Sequence, residues 1–385
     1  MAKKQSVALV YDWLTEIGGA EQVLLELTKL FPEAPIYTSQ YRPRSSPWFK
    51  DCDVRTGWLN ILPRGLRKFI SPLRMNYFSQ LDLGDYDVVI SVCNSESKAV
   101  KTDRDTLHIA YLQGPPTQYY WGMYKQYLAN PGFGVLNPLA RWGLKIFVKP
   151  MRKRDLVASK RPDVLVANSN YVRNEIKKYY HRDSVVIFPP VNVDGIRQAA
   201  KKVSAKDVRQ IKQQFFDGAD FYIVAGRQVN WKRFDIAVKA CLAADENLLV
   251  IGDGPEHKKL VELAGGDQRI KFLPRYNGAS EIAAYFRSAR GFIFTSLEPF
   301  GIVPVEALSA GLPIIAYCQG GAADIVDDGV NGIYFYEQNT NDLVAAIDRF
   351  KNISFDKRAV SHSADRYNSQ NFRRNFKKII RDNMP

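Results

Sequence analysis

The segment GFIFTSLEPFGIVPVEALSAG, residues 291–311, carries the clearest structural signal in the chain. GFIFTS is a short apolar run that predicts a buried strand, and VPVEALSAG has the residue pattern of a helix. Pro304 suits the first turn of that helix, because the N–H that proline lacks would have no partner there. The segment therefore predicts a strand that leads through a polar loop into a helix, with Glu298 in the loop and Glu306 in the helix.

Similar pairs of strand and helix occur on both sides of this segment. SVALVYDW precedes AEQVLLELTKLF in the first half, and a second alternation begins near Phe221 with FYIVAGRQ and FDIAVKACLAA. In PDVLVANSNYVRNEIKKYY, Ser169 or Asn170 would cap the helix. Strands that alternate with helices indicate parallel sheets joined by right-handed crossovers. We therefore predict an α/β protein with two Rossmann-like domains whose parallel sheets face each other across a cleft.

Domain boundaries are expected where this pattern is interrupted. FPPVN, residues 188–192, contains a proline pair that stops regular structure. We predict an N-terminal Rossmann-like domain over residues 1–190 and a C-terminal one over residues 191–362. Residues 363–385 are basic, with apolar residues at helical spacing, and are predicted to form a helix that packs back toward the N-terminal domain.

Composition is that of a globular protein with large cores, because 46% of the 385 residues are hydrophobic and 24% are charged. The four cysteines form no CxxC pair, which argues against a zinc site or a disulfide framework and favours a reducing cytoplasm. The first apolar run meets Asp12 at once, so we expect a buried strand there and no signal peptide. No segment approaches the roughly 18 apolar residues of a membrane span. The four histidines do not pair at the spacing of metal ligands, and no metal site is predicted.

The formal net charge is +14, and most of the surplus lies before residue 190. A basic surplus suits nucleic acid, an anionic membrane surface or phosphorylated ligands. A basic nucleic-acid-binding protein is therefore an alternative, although no helix-turn-helix, zinc finger or RNP-like strand accompanies the charge.

Three loops after predicted strands carry groups that suit an anionic ligand. Gly18 and Gly19 precede the first helix, where amide donors are free for an anion, although a plain tight turn is the alternative. Arg227 and Lys232 follow the strand FYIVA, and two fixed cations there would neutralise a departing diphosphate. Two solvated surface cations are the simpler interpretation of that pair. The polar turn GDGPE, residues 252–256, follows NLLVI at the same edge of the sheet.

Glu298 and Glu306 can each accept hydrogen bonds from the two hydroxyls of a vicinal diol. The amides of Phe300, Gly301 and Ile302 lie between them, near a helix start that favours anions. A nucleotide sugar has this order of groups: the diol of the ribose, the diphosphate, and the diol of the hexose. Alternatively, Glu298 is a surface charge and Glu306 a charge favoured by the helix dipole.

Together these motifs resemble the retaining glycosyltransferases of family 4, which have the GT-B fold. The E-x7-E motif of that family is matched by Glu298 and Glu306, and its GR…K element by Arg227 and Lys232. GDGP at residues 252–255, GGAE at 18–21, VANSNYV at 166–172 and FPPVN at 188–192 match further signatures. Within the family, the chain is most similar to O-antigen type mannosyltransferases.

The resemblance implies a role for each matched residue. Glu306 would bind the ribose, Glu298 the hydroxyls of the donor sugar, and Arg227 with Lys232 the leaving diphosphate. The implied catalytic residues are Arg227, Lys232 and Glu298, and the implied donor-binding residues are Gly18, Gly19, Gln113, Gly252, Asp253, Gly254, Pro299, Phe300, Gly301, Ile302 and Glu306.

The resemblance also implies a reaction that retains the anomeric configuration and needs no metal or other cofactor. GDP-mannose is favoured as donor, with a UDP-sugar as the alternative, and the acceptor would be a saccharide or a lipid-linked saccharide of cell-surface polysaccharide synthesis. No nucleic-acid partner is implied. Front-face attack is the implied mechanism, and double displacement is the alternative. An epimerase or a pyridoxal-phosphate-dependent phosphorylase of the same fold is a further alternative.

One position departs from the family pattern. Where the family has H-I-x-Y-x-H-T-P, this chain has HIAYLQGPP, so Gln113 replaces the second histidine. Glutamine cannot gain a proton near neutral pH, although its amide still forms hydrogen bonds. We predict that Gln113 contacts the donor sugar.

Two segments before residue 160 interleave basic and bulky apolar residues. The first contains Arg64, Arg67, Lys68 and Arg74; the second contains Arg141, Lys145, Lys149, Arg152, Lys153 and Arg154. Such segments suit an anionic bilayer, where each cation contributes about 1 kcal/mol. The alternative is a packed amphipathic helix with a solvated basic face. The expected location is the cytoplasm, or the inner face of the cell membrane as a peripheral protein.

Overall fold

Strands and helices alternate along the chain and form two units, Met1–Pro190 with Phe372–Pro385, and Val191–Asn371. We call them unit 1 and unit 2. The computed structural model describes residues 5–63, 70–117, 121, 122, 124–129 and 134–384. The predicted boundary after residue 190 coincides with the division between the units.

Unit 1 is built around a parallel sheet with the strand order β3-β2-β1-β4-β5-β6-β7. Its strands are β1 (Val7–Tyr11), β2 (Ile36–Thr38), β3 (Val54–Thr56), β4 (Val88–Cys93), β5 (Leu107–Leu112), β6 (Val164–Ala167) and β7 (Val185–Val186). Its helices within the first 190 residues are α1 (Gly19–Leu30), α2 (Ser71–Gln80), α3 (Tyr124–Ala129), α4 (Asn137–Ala158) and α5 (Asn170–Tyr180). β1, β4 and β5 are buried along their whole length, as expected for parallel strands that are covered on both faces.

Unit 2 repeats this architecture with the strand order β10-β9-β8-β11-β12-β13. Its strands are β8 (Phe221–Ala225), β9 (Asn247–Ile251), β10 (Ile270–Leu273), β11 (Gly291–Phe294), β12 (Ile314–Tyr317) and β13 (Gly332–Phe335). Its helices are α6 (Val193–Lys202), α7 (Ala205–Phe216), α8 (Phe234–Ala243), α9 (His257–Ala264), α10 (Gly278–Ser288), α11 (Ile302–Ser309), α12 (Ala322–Ile325), α13 (Thr340–Lys351) and α14 (Lys357–Ser363). Every described strand pair is parallel in both sheets.

The last helix, α15 (Ser369–Asn383), begins in unit 2 and ends in unit 1. The division between the units lies after Asn371, nine residues beyond the predicted boundary after residue 362. A 3-10 turn, Ala364–Tyr367, precedes α15. The Tyr367 ring packs edge-on against Phe300 with 5.4 Å between centroids, which holds this segment in unit 2.

Two local predictions are resolved by side-chain contacts. Ser169, rather than Asn170, is the N-cap of α5, since its hydroxyl accepts the Val172 N–H at 3.1 Å. Arg74, expected on a basic surface, is buried, and its Nε lies 2.5 Å from Glu96 Oε2. Burial without that partner would leave an uncompensated charge, so the ion pair explains its position. Arg64, Arg67 and Lys68 lie outside the described residues.

Candidate active site

The predicted diphosphate and diol residues of unit 2 lie where its strand order reverses. The chain winds outward in one direction from β8 and in the other from β11, and these two strands are neighbours. Loops after such strands leave a crevice between them, which is the usual ligand site of an open α/β sheet. The loop after β8 carries Arg227 and Lys232, and the loop after β11 carries Glu298.

These two loops are connected by hydrogen bonds from side chains of one loop to the backbone of the other. The Thr295 and Ser296 hydroxyls, at the end of β11, donate to the carbonyl of Lys232 at 2.7 and 3.3 Å. Lys232 itself ends a 3-10 turn, Asn230–Lys232. Its position relative to β11 is therefore set by hydrogen bonds as well as by the turn.

Lys232 and Glu298 form an ion pair in which one carboxylate oxygen, Oε1, makes no hydrogen bond. The ammonium nitrogen is 2.9 Å from Glu298 Oε1, and both side chains are less than one fifth exposed. The contact lacks hydrogen-bonding geometry, so this buried oxygen has no donor among the described residues. The ammonium charge stabilises this oxygen, and a ligand hydroxyl would supply the hydrogen bond that it lacks.

Glu306 is a second carboxyl group, on α11, eight residues after Glu298. It is largely buried, and burial raises its pKa to about 7. It makes no hydrogen bond or ion pair with any described residue. A carboxyl group in this state can bind the two hydroxyls of a diol and gain the donors that it lacks.

Tyr276, in the loop after β10, lies near Glu306 and was not predicted. Burial raises the pKa of Tyr276, and the neighbouring Glu306 charge raises it further. The residue nevertheless exposes more than a third of its surface. The signal in the sequence was an aromatic residue three positions after the strand IKFL, in a loop at the ligand-binding edge of the sheet.

Arg227 is exposed at the end of β8. Its guanidinium has no hydrogen-bond or ion-pair partner among the described residues. An unpaired guanidinium in the same loop as Lys232 can bind a phosphate through two parallel hydrogen bonds. The arrangement is compatible with the predicted role of Arg227, which stays a prediction.

The GDGP turn after β9 packs directly against the Arg227 loop. Gly252 has φ +117°, and a Cβ there would lie 2.1 Å from the carbonyl oxygen of Gly226. A Cβ on Gly254 would lie 2.4 Å from the Gln228 oxygen. Asp253 is exposed, and its side chain accepts the N–H of Gly254 at 2.7 Å. Only glycine allows this approach of the two loops.

Gln228 locks the same two loops together and was not predicted. Its side chain is buried, and Nε2 donates to the Gly252 carbonyl at 2.6 Å. Its Oε1 is 2.9 Å from Nδ1 of His257. No periodicity or motif in the sequence distinguishes this glutamine, because its partners are about 25 residues away.

Residues 299–301 lead into α11, which begins at Ile302. Gly301 is its N-cap, with φ +122° and no side-chain hydrogen bond to the helix. Unsatisfied amides at a helix start favour an anion. The Phe300 side chain is buried, so only its backbone can serve the predicted donor site. Pro299 and Ile302 are partly buried beside it.

The remaining predicted residues lie in unit 1. Gly18 is exposed and is the N-cap of α1, without a side-chain cap, while Gly19 begins the helix. Gln113 is almost fully buried at the end of β5, and its Nε2 donates to the Ala20 carbonyl at 3.0 Å. That amide therefore connects β5 to α1, and its contact with a donor sugar stays a prediction.

A cavity of about 710 Å³ in unit 2 is a different feature. Arg197, Arg287 and Lys357 are among its lining residues, and no predicted site residue is. Among the described residues, no group of three His, Cys, Asp or Glu side chains is arranged to hold a metal ion. None of the described helices is long and apolar enough to cross a membrane.

The two units are Rossmann-like α/β domains with parallel sheets, and solved structures of the GT-B fold share this architecture, which confirms the predicted fold class. A crystal structure of Anabaena HepE in complex with UDP is similar to 98% of this chain and to all of that chain, with a TM-score of 0.69 and 18% identity. At that identity, the likeness concerns the fold.

Comparison of sequences gives a more specific result for unit 2. Residues 206–367 match the family described as Glycosyl transferases group 1. An uncharacterised glycosyltransferase of Methanocaldococcus jannaschii is 28% identical over 191 residues, which are 48% of this chain and 49% of the relative. A D-inositol 3-phosphate glycosyltransferase of Streptomyces avermitilis is 29% identical over 191 residues, 44% of this chain and 40% of that protein. The chain spans about half the length of the curated relatives it matches.

Proposed function

We propose that the protein is a nucleotide-sugar-dependent glycosyltransferase whose donor binds at the strand-order reversal of unit 2. One observation carries the proposal: Glu298, which has a buried oxygen without a hydrogen bond, and Glu306, whose carboxyl group has no partner among the described residues, lie before and after an uncapped helix start. A nucleotide sugar would supply hydroxyls to both carboxyl groups and its diphosphate to the amides at the helix start. The match of residues 206–367 to the glycosyl transferases supports this assignment.

The chemistry of the proposed transfer follows from the charges around the site. Breaking the bond between the sugar and the diphosphate places negative charge on the leaving oxygen. Lys232 and Arg227, with the amides at the start of α11, would stabilise that charge. Glu298 would hold the sugar hydroxyls, and its contact with Lys232 would position the ammonium group.

We further propose that transfer retains the anomeric configuration, by front-face attack. In this step the acceptor oxygen bonds to the anomeric carbon, the bond to the diphosphate breaks, and the acceptor proton passes to the leaving phosphate oxygen. Retention and independence of metal rest on the family resemblance. GDP-mannose is the donor that the resemblance favours, and UDP-glucose is the second candidate because HepE was crystallised with it.

We propose a saccharide or a lipid-linked saccharide as the acceptor, used in cell-surface polysaccharide synthesis at the inner face of the membrane. This part also rests on the resemblance. A panel of acceptors presented with and without a polyprenyl diphosphate would distinguish the two classes.

A donor panel with matched variants tests the donor site. Release of GDP or UDP from GDP- and UDP-sugars would be measured for the wild type and for Lys232→Ala and Glu298→Gln. Removing one group that stabilises the leaving charge lowers kcat by about 100-fold or more. Lys258→Ala and Glu262→Gln are the controls, since they alter an exposed pair 3.8 Å apart on α9.

The expected result is turnover of one donor class, lost in both site variants and kept in both controls. Equal activity of Lys232→Ala and the wild type would overturn the proposed leaving-group role. Failure of every nucleotide sugar to bind or react would overturn the proposed function.

A further inference from the structure

Helix α4 of unit 1 has two apolar faces that point in nearly opposite directions. It runs over Asn137–Ala158, and the side chains that it buries are Val148, Met151, Asp155 and Ala158. At 100° per residue, a second set of apolar side chains falls on the other side of the helix. An ordinary packed helix has a polar face there. The second apolar face is therefore a candidate binding surface.

We call this second face the outward ridge; it consists of Leu139, Trp142, Ile146 and Val157. Trp142 is 62% exposed, Leu139 64% and Ile146 48%. Phe147 lies beside the ridge and is also exposed. Several large apolar side chains left in water along one helix indicate a binding surface, because such contiguous patches are rare on monomeric proteins.

A basic flank runs along the outward ridge and is formed by Lys145, Lys149 and Lys153. All three are exposed, and none makes an ion pair with a described residue. By contrast, Arg141 donates to the carbonyls of Leu128 and Ala129, and Arg152 stacks on Trp121. The three lysines of the basic flank are therefore not needed for ion pairs within the described part of the protein.

The acidic residues of the helix decide which partner fits. Asp155 is the only carboxylate in α4, and it is buried against Lys98 at 2.8 Å. The exposed side of the helix therefore carries positive charge without negative charge. A second copy of the same face would place lysine against lysine, which is unfavourable.

We propose that the outward ridge and its basic flank bind an anionic lipid bilayer, with α4 lying in the plane of the interface. Its 22 residues would extend about 33 Å along the surface. Apolar side chains with Trp on one face and lysines beside it are the features of interfacial helices. Trp142 would lie at the headgroup level, where its ring is favoured.

This inference goes beyond the proposed donor chemistry and uses residues of unit 1 alone. Membrane binding by unit 1 could be disproved without affecting the proposed donor site of unit 2, and the donor site could be disproved without affecting membrane binding. Together the two would describe an enzyme that meets its acceptor at a membrane surface.

Flotation of the full chain with vesicles tests the inference. The vesicles would be phosphatidylcholine with 30% phosphatidylglycerol, or phosphatidylcholine alone, at low and high salt. We expect binding to the anionic vesicles that weakens with salt. Trp142→Ser with Ile146→Ser should reduce binding at least about tenfold. Lys145→Glu with Lys149→Glu should reduce it at least about thirtyfold.

Two matched double variants in unit 2 are the controls. Val261→Ser with Val330→Ser removes exposed apolar side chains elsewhere, and Lys258→Glu with Lys259→Glu makes the same change in net charge. Both should bind like the wild type. Circular dichroism during heating would show that each variant is folded.

Insertion of the ridge gives an independent measurement. Brominated lipids should quench tryptophan fluorescence of the wild type, and Trp142→Phe should keep binding but lose most of that quenching. Absence of binding to anionic vesicles, or equal loss in the control variants, would overturn the inference. A dimer that Trp142→Ser with Ile146→Ser dissociates would also overturn it and assign the ridge to a second copy.

Discussion

Glu298 and Glu306 resemble each other in sequence but differ in electrostatic environment. Glu298 has the Lys232 ammonium 2.9 Å away. Among the described residues, Glu306 has no cation as an ion-pair partner, and burial raises its pKa to about 7. Both carboxyl groups can accept ligand hydroxyls, but only Glu298 would do so beside a cation that could stabilise the leaving charge. The difference fits the proposed division into sugar and ribose ends.

The raised pKa of Glu306 predicts a pH-dependent cost to stability. The native state binds this proton more tightly than the unfolded state, whose ordinary pKa is 4.5. Stability therefore falls as pH rises from about 4.5 to about 7, by at most about 3 kcal/mol. Glu306→Gln should raise the Tm of unit 2 by about 3–10 °C at pH 8 and by less than about 2 °C at pH 4.5.

Differential scanning calorimetry across this pH range measures the effect. Glu281→Gln is the control, because hydrogen bonds from Tyr285 and Asn277 lower the pKa of Glu281. The Tm of that variant should fall at pH 8, whereas the Tm of Glu306→Gln should rise. An equal change in Tm for Glu306→Gln at both pH values would contradict the prediction.

At the scale of elements, the loop after β11 is shaped by the loop after β12. The Gly321 N–H donates to the Glu298 carbonyl at 2.8 Å. A Cβ on Gly321 would lie 2.2 Å from the carbonyl oxygen of Phe300. The backbone of Gly321 is ordinary, so the need for glycine here is purely steric. The position of Glu298 therefore depends on a residue in another loop.

Gly321→Ala should displace the Glu298 loop. We expect a loss of at least about 2 kcal/mol in the free energy of unfolding of unit 2 and at least tenfold weaker donor binding. Gly265→Ala is the control, since a Cβ there meets nothing within 4 Å and carries only the cost of its left-handed backbone. Urea denaturation and calorimetric titration with the donor measure the two effects. Similar losses in both variants would refute the steric explanation.

At the scale of the whole molecule, the end of the chain completes the core of unit 1. Phe372 and Phe376 of α15 pack on Tyr111 of β5, with ring centroids 5.9 and 6.3 Å apart. Arg373 lies 2.6 Å from Glu26 of α1. Strands near the start of the chain therefore depend on residues at its end.

Phe376→Ala should cost unit 1 about 3–5 kcal/mol, because it removes a buried ring from the core. Hydrogen exchange resolved by mass spectrometry would locate the effect. Amides of β1 and β5 should exchange faster, while those of β8 and β12 keep their protection. Lys378→Ala, an exposed neighbour on the same helix, should change neither. Equal loss of protection in both units would contradict this assignment.

The sequence by itself determined the alternation of strands and helices and the parallel α/β class, because hydrophobic periodicity is a local property. It also identified Glu298, Glu306, Arg227 and Lys232 as loop and helix-start residues. Arg227 and Glu298 lie within four residues of a strand end, so their approximate places follow from the strands alone, whereas the place of Glu306 follows from the helix.

Only the tertiary structure decided which side chains meet. The Lys232–Glu298 pair, the burial of Arg74 and the role of Gln228 each join residues far apart in the chain. The second apolar face of α4 became visible only once the buried face was known. These features depend on packing and desolvation between distant segments, and neither periodicity nor motif spacing contains that information.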